Sequence, residues 1–166
     1  MARENSKFLM FVQHPIKFKL FLFRKLPSAF FSGLQIKSID ASAAQVSIPY
    51  KWFTQNPFKS TYFACLAMAA EMSTGLLAMM NIYDNDTPVS MLVKGLQAEY
   101  YKKAKGLIIF TCSQGVEITE CVNQAISTGE AQQIKVTSTG TDSRGEVVAK
   151  FIITWSFKMK TSTTPK

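Results

Sequence analysis

The sequence predicts an α+β fold in which a curved antiparallel β-sheet wraps around one long central helix, and three observations lead to this prediction. Residues 60–81 form an apolar run that carries a single charge, Glu71, and contains no proline. Most segments after this run alternate apolar and polar residues as β-strands do, and the longest alternation covers residues 146–159. A helix that is apolar on all sides must be covered, and a sheet curved around it provides that cover.

The chain before the first strand is basic and rich in phenylalanine. Residues 1–13 are expected to be flexible. Residues 15–26 predict an amphipathic helix with Pro15 at its first position and an apolar side formed by Ile16, Leu20, Phe23 and also Phe21. Two interpretations are open: the helix packs across the domain or against a subunit, which we favour, or it attaches to a membrane surface. Pro27 ends this helix, and residues 27–33 predict a turn.

Two strands and an aromatic loop lead to the central helix. Strands are predicted at residues 34–39 and 44–50, and the loop follows. The helix is predicted at residues 61–81, because Ala, Leu and Met favour helices and Ser60 and Thr61 can cap its start. In a membrane Glu71 would lie near the bilayer centre at a cost of about 2.5–3.5 kcal/mol, so we interpret the run as a buried helix and not as a membrane span.

The remaining segments complete one domain that covers residues 1–166. The alternation over residues 89–100 changes phase at Gly95, which predicts a β-bulge in one long strand. Residues 107–112 are apolar on both faces and predict a central strand, whereas residues 116–126 have helical periodicity. A hairpin of strands 133–141 and 146–159 closes the domain, and the tail 160–166 is expected to be flexible.

Composition narrows the classes of function. The net charge of +8 is compatible with nucleic acid, anionic lipid or an acidic cofactor as a partner, but also with a plain basic surface. Nucleic acid is disfavoured because no basic aromatic platform or recognition helix is visible. The three cysteines have no metal-ligand spacing, and the one histidine, His14, lies far from all of them in sequence, which disfavours a metal site and a Cys–His catalytic pair. Free thiols and the lack of a signal-peptide pattern predict a cytoplasmic protein.

Four stretches carry a resemblance to a known family. They are HPIKFKLFLFRKLPSAFFSGL from His14, YKWFTQNPFKST from Tyr50, YFACLAMAAEMSTGLLAM from Tyr62 and TDSRGEVVAKF from Thr141. With them the sequence resembles the hotdog-fold thioesterase superfamily, most closely its DUF4442 branch. The resemblance implies a hotdog fold and a homodimer whose sheets join edge to edge, in some relatives assembled into a tetramer. It also implies a ligand site at the dimer interface, near the start of the central helix.

The resemblance also implies roles for particular residues. In such thioesterases an acid on the central helix acts as base or nucleophile, and N–H groups at the start of that helix polarise the thioester carbonyl. The helix there opens with His-Gly-Gly, and the acid follows seven residues later; here Tyr62, Phe63 and Ala64 precede Glu71 in that spacing. Larger residues in place of the glycines narrow or remodel the carbonyl site. The candidate catalytic residues are Glu71, Asn56 and Tyr62, and the candidate substrate-binding residues are Ser60, Thr61, Phe63, Ala64, Lys94, Lys102 and Lys103.

Each of these roles has a structural alternative. Glu71 could be a structural acid, and Ser73 and Thr74 could share its hydrogen bonds. Lys94, Lys102 and Lys103 could bind the phosphates of coenzyme A, or belong to a solvated turn.

Three functions therefore compete. The first is an acyl-CoA or acyl carrier protein thioesterase that needs no cofactor and takes the coenzyme A thioester as its substrate. The second is a non-catalytic module that binds an acyl chain or another apolar ligand. The third, which we favour least, is peripheral membrane contact through residues 8–26.

Overall fold

The computed structural model describes residues 6–83 and 85–160, which form five α-helices and six β-strands. The predictions that residues 1–5 and 161–166 are flexible lie outside the described residues. The helices are α1 (Lys7–Gln13), α2 (Pro15–Lys25), α3 (Pro27–Ser32), α4 (Phe63–Tyr83) and α5 (Gly115–Thr128). The strands are β1 (Gln35–Ile39), β2 (Ala44–Pro49), β3 (Val89–Tyr100), β4 (Leu107–Cys112), β5 (Gln132–Thr141) and β6 (Val147–Met159).

All six strands belong to one antiparallel sheet with the order β1-β2-β4-β5-β6-β3. β4 lies between β2 and β5, so the central position predicted for residues 107–112 is confirmed. β3 pairs with β6 along its whole length, from Val89 opposite Met159 to Tyr100 opposite Ala149. The register shifts between Val93 and Gly95, which confirms the predicted bulge. β1 and β3 are the edge strands of the sheet.

The central helix α4 lies against the inner face of this sheet. It is long and apolar enough to cross a membrane, but most of it is buried inside the fold, as expected of a core helix. Two polar contacts fix its rotation: the Trp155 indole Nε1 donates to Thr74 Oγ1 at 2.9 Å, and the hydroxyls of Ser73 and Ser138 are 2.7 Å apart. The α+β architecture predicted from the sequence, a sheet around one long helix, is confirmed.

The N-terminal region is more helical than predicted. Residues 7–13, expected to be flexible, form α1, because Ser6 caps the helix and Phe8, Leu9 and Val12 are buried. The turn predicted at residues 27–33 contains α3, which begins at Pro27 and ends at Gly33 in the left-handed conformation (φ 79°).

The apolar side predicted for α2 is not the side that packs against the domain. Phe18 and Leu22 are its buried residues, whereas Ile16, Leu20 and Phe23 are exposed. Two apolar stripes exist on this helix, and packing uses the one that the sequence analysis did not choose.

Gly115 marks a tight contact at the start of α5. A Cβ atom at this position would lie 2.2 Å from the backbone oxygen of Ala41. We therefore expect Gly115→Ala to lower the free energy of unfolding by about 1–3 kcal/mol, because backbone must move to make room. Val116→Ala on the exposed side of the same helix is the control. Equal urea midpoints for the two variants would contradict the prediction, because they would show that the backbone of residues 41–43 can move at little energetic cost.

Candidate functional site

A cleft of about 520 Å³ lies at the start of α4. The loop before the helix forms one wall, and the segment that follows β3 forms the other. Seven residues singled out in the sequence analysis line it: Asn56, Ser60, Thr61, Tyr62, Phe63, Lys102 and Lys103. Its other lining residues are Pro57, Phe58, Leu66, Tyr100, Tyr101 and Ala104, while Ala64, Lys94 and Glu71 are not part of this lining.

Asn56 organises the loop before the helix. Its Oδ1 accepts hydrogen bonds from the backbone N–H of Phe58 at 3.0 Å, the N–H of Ser60 at 3.2 Å and the hydroxyl of Ser60 at 3.2 Å. Lys59 takes a left-handed conformation (φ 57°) inside this turn. The oxygen of Asn56 is thus occupied, so this side chain can offer a ligand only its Nδ2 amide.

The first turn of α4 leaves backbone donors unused. The N–H of Tyr62 donates to the carbonyl of Thr54 at 2.7 Å, and the N–H of Cys65 donates to Tyr62 at 2.9 Å. Between them, the N–H groups of Phe63 and Ala64 find no acceptor in the described part of the chain. These donors lie at the positive end of a helix of 21 residues, where an anionic oxygen is stabilised.

The Thr61 hydroxyl is a second unused group near this turn. Its Oγ1 is buried and has no hydrogen-bond partner among residues 6–83 and 85–160. Burying a hydroxyl in this state is unfavourable, and a ligand atom or a small local movement could satisfy it.

Aromatic rings stand where the resembling pattern has glycines or histidine. The rings of Tyr62 and Phe63 meet edge to face, with centroids 4.8 Å apart, and both side chains are about half exposed. The cleft therefore has aromatic rings beside the free N–H groups of the helix start.

The three candidate lysines lie in different surroundings. Lys102 Nζ is 2.8 Å from Asp142 Oδ2 and also contacts Glu146, and hydrogen bonds to these carboxylates raise its pKa. It thus ties the cleft to the β5–β6 turn and is partly neutralised. Lys103 Nζ is 3.5 Å from the carbonyl of Phe58 across the cleft, and it makes no ion pair with any described residue. Lys94 is exposed on β3, outside the cleft lining.

Glu71 lies away from the cleft, on an open stripe of α4. It is eight residues beyond Phe63, about 12 Å along the helix axis. The half-buried residues of α4 on either side of it are Ala64, Ala67, Met68, Met79 and Ile82. Ala64, Ala67, Met68 and Glu71 follow one another at spacings of three and four residues and define one helix face that is only partly covered. Beyond Glu71 this face is buried at Thr74, Gly75 and Ala78, and it is half-buried again at Met79 and Ile82. We call this face the open stripe.

The Glu71 carboxylate is unpaired among the described residues. Ser73 and Thr74 do not share its hydrogen bonds, contrary to the structural alternative: Ser73 donates to the Ala70 carbonyl, and Thr74 donates to the backbone oxygen of Glu71. Burial raises the pKa of the Glu71 carboxyl, because it removes water from the charged form without supplying a counter-charge. An uncompensated acid with a raised pKa on an apolar stripe is a candidate general base.

The raised pKa predicts a pH dependence of stability. Between the ordinary value of 4.5 and the raised folded value, the folded protein binds more protons than the unfolded chain. The contribution of Glu71 to the free energy of unfolding therefore falls as pH rises through this window. We expect Glu71→Gln to remove that fall and to stabilise the protein at neutral pH, as measured by urea unfolding at several pH values. Glu120→Gln, at an exposed position on α5, is the control and should leave the dependence of the free energy of unfolding on pH unchanged.

Nearly half of the cleft lining is not predicted from the sequence. The lining residues outside the candidate set are Pro57, Phe58, Leu66, Tyr100, Tyr101 and Ala104. Tyr100 ends the long strand β3 and Tyr101 follows it, and both meet the helix start only because β3 pairs with β6 at the sheet edge. The one available signal was the pair of adjacent tyrosines beside the lysine-rich turn.

One antiparallel sheet wrapped around one long helix is the architecture of the hotdog fold that the sequence predicts. Comparison with known families agrees: residues 16–157 match DUF4442, a domain of unknown function. The chain belongs to the DUF4442 family, and the resemblance noted from the sequence is confirmed. No protein with a curated description matches this sequence.

Solved structures with this fold come from several bacteria. A Pseudomonas aeruginosa protein of unknown function, described as a probable thioesterase, has a TM-score of 0.74 at 21% identity and covers 88% of this chain and 97% of its own. A Chlorobaculum tepidum protein of unknown function has a TM-score of 0.74 at 18% identity, covering 89% and 96%. A Haemophilus influenzae thioesterase has a TM-score of 0.62 at 11% identity, covering 87% and 92%. At these identities the likeness shows the fold.

Proposed function

We propose that this protein hydrolyses acyl thioesters of coenzyme A or acyl carrier protein, with Glu71 as the base or nucleophile. The observation that carries the proposal is the unpaired Glu71 carboxylate, held on an open apolar stripe with a raised pKa. A fold shared with a protein described as a thioesterase supports the same chemistry. No step requires a cofactor, because a carboxylate and backbone N–H groups supply the base and the oxyanion donors.

The separation of Glu71 from the helix start requires a second copy of the chain. A thioester carbonyl held by the N–H groups of Phe63 and Ala64 would be about 12 Å from the Glu71 of its own helix, too far for direct attack. The acid that serves each cleft must therefore come from another subunit.

Strand β3 offers the surface for that subunit. It is an edge strand of 12 residues, and its side chains on the helix side, Val93, Leu96 and Tyr100, are substantially exposed. A long apolar edge left uncovered invites pairing with another chain. We infer a homodimer in which two copies of β3 pair antiparallel.

The direction of β3 fits a shared site. Tyr100 lines the cleft at the helix start, whereas Val93 pairs with Trp155, whose ring lies against Gly75, one turn beyond Glu71. A two-fold axis near Leu96 would bring the Tyr100 end of one copy beside the Val93 end of the other. Each cleft would then receive the acid of the second subunit. Further pairing of dimers into tetramers is compatible with this arrangement.

The thiol-carrying half of the substrate would leave through the cleft. Lys103 at its rim is free to meet a phosphate of coenzyme A or of the carrier arm, whereas Lys102 would first have to leave its carboxylates. Lys94 lies on the proposed interface strand, where it could contact the second subunit.

Hydrolysis is tested directly with the purified protein. A panel of acyl-CoA thioesters from acetyl to palmitoyl, with released thiol measured by a colour reagent, should identify at least one substrate. Lack of turnover over the whole panel and over matching acyl carrier protein thioesters, by protein shown to be folded and dimeric, would refute the enzyme assignment.

A binding module is the second candidate function, and the rings at the helix start favour it. Tyr62 and Phe63 flank the free N–H groups where smaller residues would give a thioester easier access. If they close the oxyanion site, the same apolar surface would retain an acyl chain without cleaving it. A lipid that co-purifies and is detected by native mass spectrometry, with no turnover, would favour this function.

A further inference from the structure

An exposed aromatic surface lies on the N-terminal part of the fold, apart from the cleft and from β3. Trp52 is 82% exposed and Ile16 is 73% exposed, which is unusual for residues of this size. About half of each remaining side chain on this surface is exposed. The surface, which we call the aromatic patch, comprises Ile16, Leu20, Phe23, Leu26, Phe31, Trp52 and Phe53.

The patch is continuous across three separate segments of the chain. Phe23 on α2 contacts Phe31 on α3, with ring centroids 6.3 Å apart. Phe31 contacts Phe53 at 6.1 Å, and Phe53 contacts Trp52 at 6.5 Å. On α2 the spacing of Ile16, Leu20 and Phe23 puts them on one exposed side. Isolated exposed apolar residues are common, whereas a connected patch indicates an interaction site.

The stretch of the chain that carries the patch is basic and contains a single acid. Between residues 6 and 59 the only acid is Asp40, and the basic residues are Lys7, Lys17, Lys19, Arg24, Lys25, Lys37, Lys51 and Lys59. These 54 residues therefore carry a net charge of +7, nearly the whole +8 of the protein. Three of the cations, Lys17, Lys19 and Arg24, lie on α2 beside the exposed apolar side.

This combination matches an anionic bilayer better than a second copy of the chain. Trp and Phe insert at the boundary between headgroups and acyl chains, while neighbouring Lys and Arg meet anionic headgroups. Two copies meeting through this patch would oppose surfaces of like charge, with few acids to neutralise them. The patch shares no residue with β3 or with the open stripe of α4, so it does not overlap the proposed dimer surface.

We propose that the aromatic patch attaches this protein to membranes that contain anionic lipid. The attachment goes beyond the proposed hydrolysis and does not depend on it. It would hold the loop that joins Trp52 to the start of α4, and with it the cleft, close to the lipid surface. Apolar acyl substrates concentrate at such surfaces.

Vesicle binding tests the proposal without any substrate. The full chain should sediment with vesicles of phosphatidylcholine mixed with phosphatidylglycerol, and sediment much less with phosphatidylcholine alone or at high salt. Trp155 is buried, so a blue shift of tryptophan emission and quenching by brominated lipid would report on Trp52. Absence of sedimentation with the anionic vesicles at low salt would overturn the proposal.

Two sets of variants locate the contact. Trp52→Ser with Phe53→Ser should weaken vesicle binding at least about tenfold, while Val116→Ser, also an exposed apolar residue, should not. Lys17→Gln, Lys19→Gln and Arg24→Gln together should remove most of the salt dependence, in contrast to the same change at Lys135, Lys150 and Lys158.

Circular dichroism and thermal unfolding check that the variants fold. Equal binding by all folded variants would refute the assignment to this patch. Size-exclusion chromatography tests the alternative that a second copy of the chain binds to the patch. If Trp52→Ser with Phe53→Ser dissociates an oligomer, and the wild-type protein does not bind vesicles, the patch is a contact between copies of the chain and the membrane proposal is refuted.

Discussion

Glu71→Gln is expected to reduce thioester hydrolysis by roughly 10²–10⁴-fold, in a protein that is folded and somewhat more stable at neutral pH. Glutamine keeps the shape of the side chain but can neither accept the proton of an attacking water nor attack a carbonyl carbon. The Glu71 carboxylate makes no hydrogen bond or ion pair with the described residues, and the backbone oxygen that accepts from Thr74 is unchanged by the substitution, so the packing of α4 should survive. The loss should appear mainly in kcat, because in the proposed site other residues would bind the acyl chain and the coenzyme A phosphates.

The pH profile separates a catalytic role from a structural one. If Glu71 must be ionised, kcat/KM should rise with pH through its raised pKa, which lies above the ordinary glutamate value. Residual activity of the Gln variant should lack this rise. Glu120→Gln, at an exposed position on α5, should keep both rate and profile. Wild-type activity in Glu71→Gln would assign the hydrolysis to another group.

Local periodicity was enough to predict the sheet and its central helix. β6 alternates without interruption, so its buried side follows from the sequence alone, and Phe151, Ile153, Trp155 and Phe157 are indeed buried. The bulge at Gly95 was predictable from the same alternation, because a change of its phase within one strand requires an inserted residue.

The N-terminal helices could not be predicted in this way. α2 carries two apolar stripes, and only contacts with the rest of the domain decide that Phe18 and Leu22 are buried. α1 and α3 are short, and such helices depend on tertiary packing more than on intrinsic propensity. Even so, Pro27 and Gly33 are signals for the start and the end of a helix, and they mark the short helix α3 within the predicted turn.

The part of the candidate site at the start of α4 was predictable from the sequence, whereas the part at the end of β3 was not. Asn56, Thr61, Tyr62 and Phe63 are neighbours in sequence, so their convergence on the helix start follows from one loop. The tyrosines at the end of β3 reach the cleft through pairing with β6 at the sheet edge, and no local pattern encodes that pairing. The ion pair of Lys102 with Asp142 joins residues 40 positions apart and is equally invisible to local patterns.

Leu96→Lys is expected to separate the proposed dimer and to abolish hydrolysis together with it. The Leu96 side chain points to the same side of the sheet as buried Ile153, its pairing neighbour on β6, and is 45% exposed in the single chain. In the dimer a lysine there would be buried without a counter-charge, at a cost of about 3–5 kcal/mol. That cost corresponds to dimerisation weaker by roughly 10²–10⁴-fold, measurable by analytical ultracentrifugation.

Leu92→Lys is the matched control on the same strand. Leu92 is opposite Ser156 on β6 and so points to the other side of the sheet, away from α4. This variant should remain dimeric and active, because its lysine stays in solvent. A monomeric Leu96→Lys protein that still hydrolyses thioesters would show that one chain contains a complete site.

Mixing two inactive variants tests whether each site is shared between subunits. Phe63→Pro removes one N–H of the helix start, at the first helical position, where proline is tolerated. In a heterodimer of Phe63→Pro with Glu71→Gln, a shared arrangement puts both defects into one cleft and leaves the other intact. Random exchange of subunits should then restore about a quarter of wild-type activity, since about half of the dimers are mixed. If cleft and acid came from the same chain, no mixed dimer would contain an intact site, and the mixture would stay inactive.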